Sequence, residues 1–167
     1  GAGYSLVLIN PSSLPFHNNP ANWRCSVEIN GNPGSSDALA GFTGTANADD
    51  DLDGLDALLE YFLGSSDGTP NNGRELYSYS TANVTTETTS TEHLTLTFSR
   101  KLGADDLKHQ VEVSSNLTTG SWQTGNSHVV LIDETHNGDG TITQTWRSVA
   151  AIDITNRLFM RLNVIKP

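Results

Sequence analysis

The C-terminal half of the chain alternates apolar and polar residues with a period of two. Leu94, Leu96 and Phe98 are separated by threonines. The same alternation marks four later runs, which contain Val111 and Val113, Val129 and Leu131, Ile142 and Trp146, and Leu158, Met160, Leu162 and Val164. A period of two places alternate side chains on opposite faces of a strand. Short strands at this spacing, joined by turns such as Asn137–Gly140, favour an antiparallel β-sandwich over residues 76–167.

The chain opens with an apolar run, Tyr4–Ile9, which is bounded by glycine and by Asn-Pro and predicts a buried strand. A segment rich in proline and asparagine follows up to Pro33, and it predicts a long loop anchored by Trp23 and Val27. An apolar strand needs partners for its backbone groups and its side chains. We therefore expect Tyr4–Ile9 either to fold back on its own chain or to add to the sheet of another copy.

A helical period appears in one stretch between these two parts. Apolar residues recur there at i, i+3, i+4, i+7 and i+8, namely Leu55, Leu58, Leu59, Phe62 and Leu63. This spacing predicts a short helix over Leu55–Leu63 that packs one stripe against the core, and Gly64 is placed to end it. The turn-forming residues of Ser65–Arg74 predict a linker or surface loop. We accordingly divide the chain into an N-terminal strand and loop (1–44), a loop and helix (45–64), a linker (65–75) and the sandwich.

Acidic residues immediately before the helix follow the template of a calcium loop. Asp49, Asp51 and Asp53 occupy positions 1, 3 and 5, Gly54 the sharp turn at position 6, and Glu60 position 12. Calcium prefers six to eight oxygen ligands, which these carboxylates and a backbone carbonyl at position 7 can supply. We predict that Ca²⁺ is bound by Asp49, Asp51, Asp53, the Leu55 carbonyl and Glu60. Position 9 is Ala57, so its ligand would be water.

Two alternatives concern the acidic residues. The loop could be a solvated acidic turn that caps the helix, because carboxylates are favourable at a helix N-terminus without any metal. Densely packed carboxylates repel one another, however, and the whole template is matched, which favours calcium. Asp133, Asn137 and Asp139 could form a second oxygen site, but their spacing matches no template and a β-turn already explains Asn137–Gly140.

Charge and composition restrict the classes of partner. The 167 residues include nine basic and nineteen acidic ones, giving a formal charge of −10, which argues against nucleic acid and anionic membranes. No apolar run is long enough to span a bilayer, and we expect a soluble chain, already mature or excised, because no leader opens it. Cys25 is the single cysteine, so no intrachain disulfide can form. Abundant Thr, Ser, Asn and Gly with few Lys indicate an extracellular bacterial protein.

No catalytic motif is present in the sequence. The five histidines lack metal-binding spacing, and no nucleophile motif or phosphate-binding loop occurs. Asp105 and Asp106 are adjacent, so their side chains should point apart and not act on one bond. Tyr77 and Tyr79 share a strand face and could form a sugar-binding platform, although packing in the core or on the sheet is the favoured explanation. Trp122 and Trp146 are predicted to lie in the core.

Both ends of the sequence resemble bacterial secreted modules. Tyr-Ser-Leu-Val-Leu-Ile-x-Pro, Asn-x-x-Asn-Trp-Arg-x-Ser and Asn-Pro-Gly, within about the first 35 residues, resemble the closing part of a lamin-tail-type domain, an immunoglobulin-like β-sandwich. Most of such a domain would be missing, which implies a fragment or a re-used segment. From Asp49 onward, Asp-x-Asp-Gly-Leu-x-x-Leu-Leu-Glu, Val-Glu-Val-Ser and Arg-Leu-Phe-Met-Arg-Leu-x-Val resemble the C-terminal module of large secreted planctomycete and verrucomicrobial proteins.

The pattern and these resemblances lead to one prediction of fold and function. We expect a mainly β, immunoglobulin-like antiparallel sandwich with one short helix after a calcium loop. We expect a non-enzymatic, calcium-stabilised module of the extracellular space or cell surface, with a structural, attachment or assembly role. Its partners would be other domains of a parent protein or copies of itself joined by strand addition. The alternative is a carbohydrate-binding module that delivers an enzyme to polysaccharide.

Overall fold

The computed structural model describes residues 3–70, 74–152 and 157–167. These residues form one α-helix and eight β-strands. In chain order the elements are β1 (Tyr4–Leu8), β2 (Trp23–Ile29), α1 (Ala57–Leu63), β3 (Tyr77–Thr85), β4 (Ser90–Lys101), β5 (Lys108–Ser114), β6 (Val129–His136), β7 (Thr141–Ala151) and β8 (Phe159–Ile165). Three short 3₁₀ turns lie at Pro11–Ser13, Pro20–Asn22 and Arg74–Leu76. The predicted mainly β composition is confirmed.

The strands pair in three antiparallel sheets. The largest has the order β3-β4-β7-β6, while β5 pairs with β8 and β1 pairs with β2. The predicted antiparallel sandwich is therefore confirmed, and its immunoglobulin-like type stays a prediction. The Asn137–Gly140 turn joins β6 to β7 as expected, with the amide of Asn137 donating to the Thr141 carbonyl at 3.1 Å.

One apolar core lies between the four-stranded sheet, the β5-β8 pair and α1. Leu96 and Phe98 of β4 are buried there, as the period of two predicts. The helix adds its apolar stripe, and the rings of Phe62 and Phe98 lie 6.3 Å apart. Trp146 packs against this cluster. Trp122 does not, and its predicted core position is wrong: the ring is half-buried beneath the guanidinium of Arg161, with 4.1 Å between Cζ and the ring centroid.

The N-terminal strand β1 folds back on its own chain. It pairs with β2 from Tyr4 opposite Ile29 to Leu8 opposite Trp23, so one of the two expected alternatives is observed. The prediction that this run is buried is wrong, because the two-stranded sheet lies at the surface and Leu6 is 69% exposed. Trp23 is half-buried, and its indole nitrogen donates to the carbonyl of His17 at 2.8 Å.

A cluster of buried charges fastens this hairpin to the sandwich. Arg24 of β2 donates from Nε and Nη2 to the two carboxylate oxygens of Asp105, at 2.6 and 2.8 Å, and also forms an ion pair with Asp37. Asp37 in turn accepts a hydrogen bond from the amide of Val27 at 3.0 Å. The neighbouring Asp106 accepts instead from the amide of Phe42 at 2.7 Å. Asp105 and Asp106 therefore point to different partners, as predicted.

Candidate metal centre

The acidic loop is shaped by two backbone positions with positive φ. Leu52 has φ of 62° and Gly54 has φ of 88°, which bends the chain around the loop centre. The glycine tolerates this conformation because it lacks Cβ, as the template requires of position 6. Inside the bend, the amide of Asp53 donates to carboxylate oxygens of Asp49 and Asp51, both at 3.1 Å. These hydrogen bonds hold the carboxylates on the inner side of the loop.

Three predicted ligands are brought together by this conformation. Asp49, Asp51 and Asp53 each offer a carboxylate oxygen, and these oxygens all lie within 4.8 Å of one another. Like charges at this separation oppose one another, and a cation between them would remove the repulsion. An all-oxygen donor set of this kind suits a hard cation.

Glu60 is the fourth predicted side-chain ligand, and it is fully buried on α1. Its Oε1 accepts a hydrogen bond from the Ser65 hydroxyl at 2.9 Å, whereas Oε2 has no partner among the described residues. Burial raises the pKa of Glu60, and the charges of Asp51, Asp53 and Asp67 act in the same direction against the Ser65 hydrogen bond. A second buried oxygen, Oδ2 of Asp51, likewise lacks a partner in the described part of the chain.

The helix begins at Ala57, two residues after the predicted start. Asp56 is its N-cap, and the Asp56 carboxylate accepts from the amide of Leu59 at 2.8 Å. The amides of Ala57 and Leu58 donate to the carbonyls of Ala48 and Ala46, which closes the loop at its base. Leu55 thus belongs to the loop and not to the helix. Since Asp56 caps the helix, capping does not account for the three carboxylates before it.

Gly64 ends the helix as predicted. Its φ of 102° is left-handed, and its amide donates to the Glu60 carbonyl at 2.8 Å. This places the last turn of α1 directly against Ser65, the residue that hydrogen-bonds the Glu60 side chain.

Leu55 is buried, and its amide donates to Oδ1 of Asp53 at 2.8 Å. That its carbonyl binds a metal stays a prediction. Ala57, at position 9, has no side-chain oxygen to offer, as expected.

The segment after the helix contributes contacts that sequence reasoning did not identify. Asp67 accepts from the amide of Asp50 at 2.9 Å, and Arg74 donates from Nε to the carbonyl of Asp53 at 2.7 Å. These residues lie in the predicted linker, of which residues 71–73 are outside the described part. Turn-forming composition gives no signal for such contacts, because their partners lie 17 and 21 residues away in the chain.

The residues suggested as a second site serve the β6-β7 turn. The side-chain amide of Asn137 donates to the hydroxyls of Thr141 and Thr143, at 2.8 and 3.0 Å. Asp139 accepts from the amide and hydroxyl of Thr141, and these hydrogen bonds lower its pKa. The turn explanation therefore accounts for both side chains.

The two tyrosines of β3 differ in their surroundings. Tyr77 packs against the core, whereas Tyr79 is 52% exposed. Their ring centroids lie 6.1 Å apart with an interplanar angle of 80°. Because the rings are nearly perpendicular, the pair does not form one flat surface.

Comparison of the chain with models of protein families, with curated proteins and with solved structures finds no match. Within the described ranges, no helix has the length and apolar character needed to cross a membrane.

Proposed function

We propose that this chain is a non-catalytic module stabilised by Ca²⁺ bound in the loop from Asp49 to Glu60. The observation that carries the proposal is the pair of buried carboxylate oxygens without a partner among the described residues, Oδ2 of Asp51 and Oε2 of Glu60. They belong to positions 3 and 12 of the loop, which are ligand positions of the template. A buried carboxylate is costly unless it is paired or binds a metal.

The donor set fits the proposed ion. Asp49, Asp51 and Asp53 would supply one side of the coordination shell, while Glu60 and the Leu55 carbonyl would complete it from the helix side. When bound, Ca²⁺ supplies positive charge that offsets the repulsion among these carboxylates. Glu60 lies on the same helix as the core residues Phe62 and Leu63. The packing of α1 against the core therefore fixes the position of Glu60 relative to the loop.

We infer an extracellular or cell-surface role for the module, in structure, attachment or assembly. Support comes from the composition, which is rich in Thr, Ser, Asn and Gly and poor in Lys, and from the resemblance to modules of secreted bacterial proteins. Other domains of a parent protein, or further copies of this chain, are the partners that such a role implies.

Calorimetric titration with CaCl₂ after chelator treatment tests the ion directly. We expect one equivalent to bind the wild type and Glu60→Gln to weaken binding at least tenfold. Asp50→Asn is the matched control, because Asp50 lies in the same loop at position 2, which is not a ligand position. Its affinity should stay within about twofold of the wild type at 0.15 M salt, where the loss of an exposed charge is screened. Absence of heat, or equal weakening by both variants, would contradict the proposal.

A carbohydrate-binding module is the second candidate, and the exposed ring of Tyr79 is the observation that favours it. Pull-down with insoluble polysaccharides separates the two functions. Retention that is lost on Tyr79→Ala and kept in Tyr77→Phe would support sugar binding at this strand. If the wild type is not retained on any polysaccharide, the calcium-stabilised structural module remains the proposed function.

A further inference from the structure

A cavity of about 540 Å³ lies where the N-terminal hairpin meets the sandwich. Its walls come from the start of β2, from α1, from the end of β4 and from the start of β5. The volume falls within the range of small-molecule sites, which is about 300–1,000 Å³. The cavity lies apart from the acidic loop, and Phe62 is the residue of α1 that reaches it.

Arg100 is an unusual residue for one wall of this cavity. It follows Leu96 and Phe98 at a spacing of two on β4, in continuous register with β7, so it lies on the core-facing side of the strand. Its Nε is buried without a hydrogen-bond partner, and no described carboxylate lies within ion-pair distance of its guanidinium. Its Nη1 donates to the carbonyl of Lys101 at 3.3 Å. Burial lowers the pKa of Arg100, against the charge of Glu134. A buried guanidinium without a carboxylate partner would be stabilised by an anion that enters the cavity.

The other charged residues around the cavity are of both signs, and most of them are already paired. Of the nine basic residues in the chain, three line the cavity, namely Arg24, Arg100 and Lys108. Asp105 is the acidic residue of the lining, and Arg24 already pairs with it. Lys108 has no ion pair within the described ranges. Arg24 is also paired with Asp37, so Arg100 and Lys108 are the two cations of the lining without an ion pair in the described ranges.

The remaining walls suit a ring that carries polar groups. Trp23, Phe62 and Leu107 provide apolar surface, and Gln110 and Asn22 provide amides. A single guanidinium matches a planar carboxylate with two parallel hydrogen bonds. A singly charged ligand also costs less to remove from water than a doubly charged one.

We propose that this cavity binds a small molecule of one ring bearing a carboxylate, with Arg100 and Lys108 as the residues that recognise the anion. The ring could be that of a sugar acid or of an aromatic acid, and both present the same group to the two cations.

Titration of the ¹⁵N-labelled full chain in 2 mM CaCl₂, followed by NMR, tests the proposal with glucuronate and benzoate as probes. We expect one of them to shift the amide signals of Lys108, His109 and Gln110 in a saturable manner. Glucose and benzyl alcohol, which lack the carboxylate, should produce no saturable shift. The acid that binds more tightly identifies the ring.

Substitution of the cavity residues tests whether the signal shifts come from binding in the cavity. Arg100→Gln should weaken binding at least tenfold and Lys108→Gln about threefold to tenfold. Arg147→Gln is the matched control, because Arg147 also has a buried Nε without a described partner but does not line this cavity. Thermal melting verifies that each variant is folded, and Lys108→Gln carries the test if Arg100→Gln unfolds.

Three results would overturn the proposal. They are no saturable shift with either acid up to 20 mM, equal affinity of wild type and the two cavity variants, and tighter binding of inorganic phosphate than of both acids. Because the titrations contain saturating calcium, their failure leaves the calcium proposal unaffected.

Discussion

The carboxylate of Glu60 is fully buried next to the carboxylates of the acidic loop. If calcium binds with a dissociation constant near 10 μM, a hundredfold excess of free ion adds about 2.7 kcal/mol to the free energy of unfolding. For a chain of this size, that gain corresponds to a rise of roughly 5–10 °C in the melting temperature. Chelation should remove it.

Thermal melts with and without EDTA check this expectation. Glu60→Gln should lose at least half of the difference between calcium and EDTA, because the bidentate ligand is lost. Asp50→Asn should keep the difference between the two conditions. If the melting temperature of the wild type is the same with and without EDTA, the result would argue against a structural ion.

His109 makes the free energy of unfolding depend on pH. Burial, followed by the nearby charge of Arg100, lowers its pKa to about 4, against the hydrogen bond with Gln144. The unfolded chain therefore binds more protons than the folded one between pH 6.5 and 4. The resulting stability is complete above pH 6.5 and is lost as the pH falls towards 4, by up to about 3 kcal/mol.

Urea denaturation at a series of pH values measures this loss. His109→Gln should flatten the dependence between pH 6.5 and 4, whereas replacing the exposed His17 by Gln should not change it. Parallel curves for wild type and His109→Gln would show that acid destabilises the protein through other groups.

At the scale of elements, α1 connects the loop to the core through residues buried to different degrees. Leu63 is buried within the core cluster, whereas Leu59 is only partly buried at its edge. Leu63→Ala should lower the free energy of unfolding by about 2–5 kcal/mol, as expected for a buried leucine. Leu59→Ala should cost less. Urea denaturation in saturating calcium measures both, and equal losses would mean that the helix packs differently.

The hairpin of β1 and β2 depends on the buried cluster of Arg24, Asp37 and Asp105. Removing one partner leaves buried charge uncompensated, which costs about 3–5 kcal/mol. Since the hairpin lies at the periphery, Arg24→Ala should release it locally before the sandwich unfolds. Hydrogen exchange should show lost protection of amides in β1 and β2 but not in β4 and β7. Uniform loss of protection would show that the hairpin and sandwich unfold together.

The sequence predicts those elements in which the spacing of apolar side chains indicates which face is buried. The alternation in β4 and the helical stripe in α1 identify both elements because each has one buried face. The same reasoning fails for Leu6, since an apolar run indicates burial only when other elements cover it. It also cannot place Arg100, which shares the lining of the cavity with residues of β2 and β5 that are distant in sequence.

The acidic loop was predictable for a different reason. Its ligand positions lie within twelve residues, so a local template contains most of the geometry. The contribution of Ser65, Asp67 and Arg74 depends on how the next segment folds back, and no short-range pattern encodes that.

At the scale of the whole molecule, β3 is an edge strand that could join two copies. Nothing in the described ranges pairs with its outer side, and its nine residues include no charge, proline or glycine. Edge strands usually carry such features to prevent pairing with other chains. We expect self-association at high protein concentration that increases with salt, because salt screens the net negative charge.

Static light scattering measures this association. Thr81→Lys, at the centre of β3, should reduce it. Thr135→Lys on β6, the opposite edge, should not, because β6 already carries Asp133 and Glu134. A molecular mass that stays monomeric at all concentrations and salt levels would exclude pairing through β3.

The register of the N-terminal hairpin also determines how it responds to mechanical tension. Tyr4 lies opposite Ile29, so a pulling force that enters at the start of β1 leaves the hairpin through the adjacent end of β2. The interstrand hydrogen bonds are then loaded one after another, as in opening a zipper, and not all at once in shear. Val7 lies opposite Arg24, close to the far end, so the strand pair next to Arg24 separates only after most of the hairpin has opened. We therefore expect the hairpin to extend at a lower force than the sandwich behind it.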